Sequence, residues 1–508
     1  MAAQFFSSAL VGLDGMLVEV ESDITNTALP SFVIVGLPDT AVQESRERIR
    51  SAIKNSGFKF PPARIAVNLA PADVKKQGPS FDLPIALALL AAAKQFISVL
   101  PSAEFMICGE LSLDGSVRQV NGVLPMVIGS KEKGMRKCLV PAANQKEAAA
   151  VAGVTVYGVE SLSQAISFLS GELPLTPAEP LIYQTELLAP DTDFADIKGQ
   201  EGVKRALEIA AAGGHNILMS GPPGSGKTLL ARALTGILPQ LNLEESLEVT
   251  KIHSVAGILS ASQPLLRQRS FRSPHHTSSS VALVGGGTYI RPGEISLAHR
   301  GVLFLDEFPE FPRSVLDSLR QPLEDGFVTV SRAQGSVQFP AKFMLVAAMN
   351  PCPCGYFGDT THTCVCGPGQ MINYQKKISG PLLDRIDLHI EVPRVEYEKL
   401  TNLEPAENSS NILARVEAAR AIQFKRFIDR NIFTNAEMGI KDIQKYCELP
   451  TEGSELLKQA VQQMHLSARS YHRLLKLSLT IADLAGAESI ALEHVAESLQ
   501  YRPKVRQV

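Results

Sequence analysis

The chain has 508 residues, 45% of them hydrophobic, enough for several buried cores and two to four domains. Its charge is nearly balanced, 49 Lys and Arg against 52 Asp and Glu for a net of −3, which excludes nucleic-acid binding by bulk composition and leaves only local contacts. The longest apolar run, residues 83–93, is too short to span a bilayer, and residues 1–15 lack the positive start of an export signal. A cytoplasmic location without membrane contact is expected, and the seven cysteines are then thiols or metal ligands rather than disulfides.

In chain order, residues 1–170 form a first block. It mixes strand-like runs at 32–35, 65–69, 105–107 and 137–140 with alanine-rich helical stretches at 83–94 and 145–151. Residues 171–190 hold Pro174, Pro177, Pro180 and Pro190, which predicts an extended proline-rich linker. Residues 191–395 alternate strands and helices in an α/β pattern. Residues 396–508 read as nearly all helix, with helical apolar spacing at 454–464, 468–485 and 491–499.

The central block carries the chemistry. Gly221, Pro222, Pro223, Gly224, Ser225, Gly226, Lys227 and Thr228 form a Gly-x-x-x-x-Gly-Lys-Thr phosphate loop, preceded by an apolar strand at 215–220 and followed by a helix at 229–238. Backbone N–H groups and a helix start favour phosphate there. Lys227 reaches the β and γ phosphates of ATP, and Thr228 holds Mg2+. A second strand, 301–305, is apolar throughout and ends in Asp306 and Glu307. Ligands of a parallel sheet lie outside the carboxyl ends of its strands, so Asp306 can reach the magnesium and Glu307 can orient the attacking water. A third strand, 343–349, ends in Asn350, placed to touch the γ-phosphate or that water.

Further on, Arg385 in Ser-Gly-Pro-Leu-Leu-Asp-Arg-Ile-Asp suits either an arginine finger inserted into a neighbouring subunit's ATP site or an ion pair with Asp384 or Asp387. Arg469 and Arg473 share a helix face, which fits a residue folded over the nucleotide or a solvated basic face. Cys352, Cys354, Cys364 and Cys366 form C-x-C-x9-C-x-C. Residues two apart in extended chain point the same way, so four thiolates suit tetrahedral zinc, with His362 as a substitute ligand. The plain alternative is four reduced surface thiols.

Four segments carry a resemblance. They are residues 194–230, the run Phe271-Arg272-Ser273-Pro274-His275-His276, residues 291–300 leading into the acidic strand, and Asn350-Pro351-Cys352-Pro353-Cys354-Gly355. They resemble the ComM/YifB family of magnesium-chelatase-like AAA+ ATPases over essentially the whole chain. The resemblance implies a nucleotide-dependent hexameric ring with ATP sites between subunits. It implies that Asn350 is the sensor-1 residue, Arg385 the arginine finger and Arg469 the sensor-2 residue, and that backbone at 197–200 holds the adenine. It implies a helical lid at 396–508 and a DNA helicase that promotes branch migration while transforming DNA is integrated, acting on single-stranded or branched DNA.

Two segments suit such contact: the hairpin-like run 327–339 with Arg332 near its turn, and the loop 285–292 with Tyr289 and Arg291. The alternative for both is an ordinary surface hairpin and loop, and for the whole chain a chelatase-type protein-remodelling ATPase. In the first block, Gly78-Pro79-Ser80 and the residues after it resemble the serine segment of Lon-type proteases. Leu124 stands where those proteases carry the activating lysine, and Lys131 and Lys133 lie beyond it. The resemblance therefore implies a Lon-like domain without peptidase activity.

Overall fold

The computed structural model describes residues 3–26, 29–181, 192–287, 290–332, 335–359, 361–395, 406–430, 432–464 and 466–502. The first region is built on a seven-stranded mixed sheet. Its spatial order is Ser31–Val35, Arg64–Ala70, Asp14–Thr25, Ala3–Val11, Phe105–Ile107, Lys137–Pro141 and Thr155–Val159. The antiparallel pair Ala3–Val11 and Asp14–Thr25 is not evident in sequence, because Ser7 and Ser8 sit wholly buried in the middle of the first strand and break its apolar pattern. Helix Asp82–Ala92, buried over nearly its whole length, covers this pair. Helix Thr40–Asn55 starts where the Asp39 carboxylate accepts the Val42 N–H at 2.8 Å.

The central region holds a five-stranded sheet in the order Phe271–Arg272, Val302–Leu305, Met344–Met349, Ile217–Ser220 and Leu388–Glu391. Every pairing in it is parallel. The apolar runs are strands because both their faces are covered: Val302, Leu303, Phe304 and Leu305 are all fully buried. The mixed α/β architecture with a parallel sheet is that of a P-loop AAA+ type core. Strands Phe327–Arg332 and Gly335–Pro340 form a separate antiparallel hairpin, with Arg332 opposite Gly335 at its turn.

The C-terminal region is helical: Ser409–Arg426, Thr451–Gln463, Ala468–Leu484 and Leu492–Gln500. Helices Ser409–Arg426 and Ala468–Leu484 pack on Glu201–Gly213 of the central region. The first region also leans on the central one. Helix Val123–Glu132 packs on Leu243–Ala256, and the Ser254 hydroxyl donates to buried Glu147 at 2.5 Å. At the turn of the first hairpin, a Cβ at Gly12 would lie 2.7 Å from Val337, so this turn touches the 327–340 hairpin. Within the proline-rich stretch, the Ala178 and Leu181 N–H groups donate to Val156 and Ala149, so its first half lies along the first region. Residues 182–191 fall outside the described residues.

Candidate functional site

Strand Ile217–Ser220 lies between Met344–Met349 and Leu388–Glu391 and exits into the phosphate loop. Gly224 and Gly226 have φ of +74° and +86°, the left-handed region where glycine is unstrained, and a Cβ at either would meet nothing within 4 Å. The loop thus presents open backbone on its outer side, as phosphate binding requires. Its inner side is held down. The Gln200 side chain donates to the Ser225 carbonyl at 2.9 Å and to the Pro393 carbonyl at 2.8 Å, tying the loop to the start of helix Glu201–Gly213 and to the exit of the last strand. Lys227 is buried. Its ammonium donates to the Gly221 and Pro222 carbonyls at 2.7 and 2.9 Å and lies 3.4 Å from Asn350 Oδ1. Burial lowers its pKa, and Asp306 works the other way.

The carboxyl ends of the neighbouring strands converge on this loop. Thr228 Oγ1 donates to Asp306 Oδ2 at 2.9 Å, so a hydroxyl and a carboxylate meet beside the loop. Magnesium takes such a pair together with phosphate oxygens and waters, and the donor set fits it. Glu307 adopts φ +51°, a strained value for a non-glycine residue that costs on the order of 1–3 kcal/mol. The turn throws its side chain, 56% exposed, away from the strand, where Glu307 Oε2 meets His276 Nδ1 at 3.0 Å. His276 in turn lies against the His275 ring, with centroids 4.1 Å apart, and meets Phe311 edge-on. Sequence reasoning assigned His276 no role. The available signal was its place just beyond strand Phe271–Arg272, which pairs with the acidic strand.

The arginines lie elsewhere. Arg385 and Arg469 both bind Glu324, and these guanidiniums, Arg385 first, hold its carboxyl below the usual range. The Asn216 side chain donates to the Arg385 carbonyl at 3.1 Å, which fixes Arg385 at the amino end of strand Ile217–Ser220. From Asn216 to Gly221 the strand rises roughly 16 Å at about 3.3 Å per residue. Arg385 and Arg469 are therefore on the face of the core opposite the chain's own phosphate loop. Arg385 pairs with Glu324 rather than with Asp384 or Asp387, and Arg469, on the same carboxylate, does not fold over its own loop. Arg473 instead binds Asp387 at 2.6 Å. Burial acts to raise the Asp387 pKa, but Arg473, His215 and the Asn216 N–H together hold it well below the carboxylate range. A cleft of about 800 Å³ opens at this same face, lined by Arg269, Arg300, Glu324, Arg385 and Arg469 among others.

The four cysteines come together after the third strand. Their sulfurs all lie within 4.8 Å of one another, with Cys352 Sγ 3.4 Å from Cys354 Sγ and 3.6 Å from Cys364 Sγ. These separations are far beyond a disulfide bond and close to the roughly 3.8 Å that tetrahedral zinc imposes on sulfurs about 2.3 Å from it. Backbone N–H groups of Tyr356 and Val365 pull the Cys354 thiol down to about 6, and the Cys354 N–H donates to Cys366 Sγ. The cluster fits zinc with four sulfur ligands. His362 stacks on Tyr356 instead of joining it.

Of the residues expected at a nucleic-acid contact, Arg291 is exposed and sits on the short antiparallel pair Gly285–Gly286 with Arg291–Pro292. Tyr289 lies outside the described residues. Ser80 is buried, its hydroxyl without a hydrogen-bond partner in the structure, and Leu124 is fully buried. Among the described residues, no helix is long and apolar enough to cross a membrane.

Three family models match the chain: magnesium chelatase, subunit ChlI, over residues 193–400; subunit ChlI of Mg-chelatase over 20–144; and the C-terminal part of magnesium chelatase subunit ChlI over 406–502. The competence protein ComM of Haemophilus influenzae is 44% identical over 99% of this chain and 97% of its own length. The uncharacterized protein YifB of Escherichia coli is 43% identical over 97% of this chain and 96% of its own. A magnesium-chelatase 67 kDa subunit of Chlorobaculum tepidum is 30% identical over 31% of this chain and 23% of its own. With the phosphate loop, the acidic strand and full-length relatives in agreement, the chain belongs to the ComM/YifB family of magnesium-chelatase-like AAA+ ATPases.

Proposed function

We propose that this chain is an ATP-driven ring motor that moves DNA strands, a helicase promoting branch migration while transforming DNA is integrated by recombination. One observation carries the ring. The phosphate loop with Asp306, Glu307 and Asn350 lies at one end of the parallel sheet, and Arg385 with Arg469 lies at the other. Neither half is a complete phosphoryl-transfer site, and a head-to-tail contact between copies completes one at every interface of a closed ring, here a hexamer. In that site Lys227 and the loop N–H groups hold the phosphates of ATP. Thr228 and Asp306 hold Mg2+, which neutralises charge on the phosphate oxygens. Glu307, steadied by His276, orients the water, and Asn350 senses the γ-phosphate. Arg385, with Arg469, meets the developing charge from the neighbouring copy. The C-terminal helices serve as the lid, and the first region is a Lon-like scaffold without peptidase activity, since Leu124 offers no base to Ser80.

The DNA reading rests on placement and on the name of the Haemophilus relative, a competence protein. The 327–340 hairpin directly precedes the third strand, and the 285–292 loop leads into the acidic one through helix Glu294–Leu297, so loss of the γ-phosphate can move both. Arg332, Arg291 and Tyr289 are the proposed contacts. Such contacts are phosphate-directed and weaken with salt. ATPase rate with and without single-stranded and forked DNA tests the reading. Stimulation by DNA, lost on Arg332→Ala with Arg291→Ala while basal ATPase stays, is expected. Stimulation by protein partners alone would favour a protein-remodelling ATPase.

A further inference from the structure

The turn that carries the second cysteine rests on the phosphate loop. Cys352, Pro353, Cys354 and Gly355 close a tight turn through the Gly355 N–H to Cys352 carbonyl bond at 3.0 Å, and Gly355 takes φ +86°. A Cβ at Gly355 would lie 2.7 and 2.8 Å from the ring of Pro223 and 3.7 Å from Asn350 Cγ. No side chain fits between this turn and the loop. Pro222 and Pro223 lack N–H groups, so this part of the loop is held through the Pro222 carbonyl, which accepts from Lys227 at 2.9 Å and from the Ser225 N–H at 3.3 Å, and Pro223 itself is held by packing. Gln200 steadies the far side at Ser225. The near side has the cysteine turn, whose two sulfurs lie within 4.8 Å of those of Cys364 and Cys366.

We infer that the four-cysteine metal site is the outer support of the phosphate loop, so that ATP affinity depends on the metal being held. This rests on reading the cysteines as a metal site. Metal loss releases the turn, frees Pro223 and lets the loop N–H groups wander from the positions that phosphate needs. The site thereby makes ATP binding sensitive to zinc supply.

The test uses the full chain. Zinc content is measured by mass spectrometry, and binding of a fluorescent ATP analogue is measured before chelation, after chelation and after zinc is returned. One zinc per chain is expected, as for a single four-ligand site. Affinity should fall about tenfold on removal, a change of about 1.4 kcal/mol, and recover on return. Gly355→Val, which intrudes on Pro223, should weaken the analogue while zinc stays bound, and Cys447→Ser, at a buried thiol of the C-terminal helical region outside the four-cysteine group, should change neither. Protein that carries no zinc and takes up none overturns both the metal site and the inference. Zinc that can be removed with affinity unchanged, together with a Gly355→Val protein that binds normally, leaves the metal site standing and overturns the inference alone.

Discussion

Arg385→Ala separates an interface site from one built within a single chain. Arg385 lies at the amino end of strand Ile217–Ser220 and the phosphate loop at its carboxyl end, about five residues or 16 Å of strand away. An arginine side chain spans less than half of that. Loss of an arginine finger typically costs about 10³–10⁵ in turnover, roughly 4–7 kcal/mol of transition-state stabilisation. Arg385→Ala should therefore stop hydrolysis in assembled rings while a single chain still binds nucleotide normally. The sharper measurement mixes inactive partners. Glu307→Gln chains keep the arginine, and Arg385→Ala chains keep the loop and the carboxylate. In random equal mixtures, about one interface in four pairs an intact loop with an intact arginine, because each site in a ring draws on two different copies. ATPase should recover to roughly a quarter of the wild-type rate at most, and neither variant should recover alone. If mixed rings, shown to have formed, stay inactive, the arginine acts within its own chain and the two-ended site is wrong.

Glu307→Gln alone should keep ATP binding and lose turnover, read as an intact affinity for labelled ATP beside an absent phosphate release; release at the wild-type rate would remove Glu307 from the role. His276→Ala should lower kcat with little change in KM, because it frees the carboxylate without touching the phosphates, and His276→Asn, which keeps a hydrogen-bond donor, should restore part of the rate; equal loss in both variants with raised KM would point to a folding defect. Asp387 has a folded pKa below its unfolded value, so its stabilisation is complete above about pH 4 and is lost as pH falls through the folded pKa. Arg473→Met, which leaves this buried carboxylate with less positive charge, should cost about 3–5 kcal/mol in urea unfolding at pH 7, and less in acid where the carboxyl is protonated; a variant as stable as wild type at both pH values would contradict the pairing.

The chemistry that lies within a few residues of sequence was legible. A strand, a glycine-rich turn and a helix start are contiguous, so residues 215–228 announce a phosphate loop, and the structure brings Thr228 to Asp306. Four-residue apolar runs mark strands covered on both faces, and Val302–Leu305 and Met344–Met349 lie where those runs fall. Cysteines two apart in extended chain suggested converging sulfurs, and four converge. Other features had no local signal. The strand Ala3–Val11 hides behind buried serines, and helix Thr40–Asn55 behind a surface rich in charge. The Glu307–His276 contact joins residues that lie just beyond the carboxyl ends of neighbouring strands and are distant in sequence. Above all, Arg469 meets Glu324 across 145 positions and Arg473 meets Asp387 across 86, because helix Ala468–Leu484 folds back onto the amino ends of the parallel strands. Sequence determines which residues can bind phosphate, metal or charge, since that is a matter of side-chain chemistry and short-range spacing. Which end of the sheet each one faces is decided only when the helices pack, because burial of apolar surface, not the functional residues, chooses that arrangement.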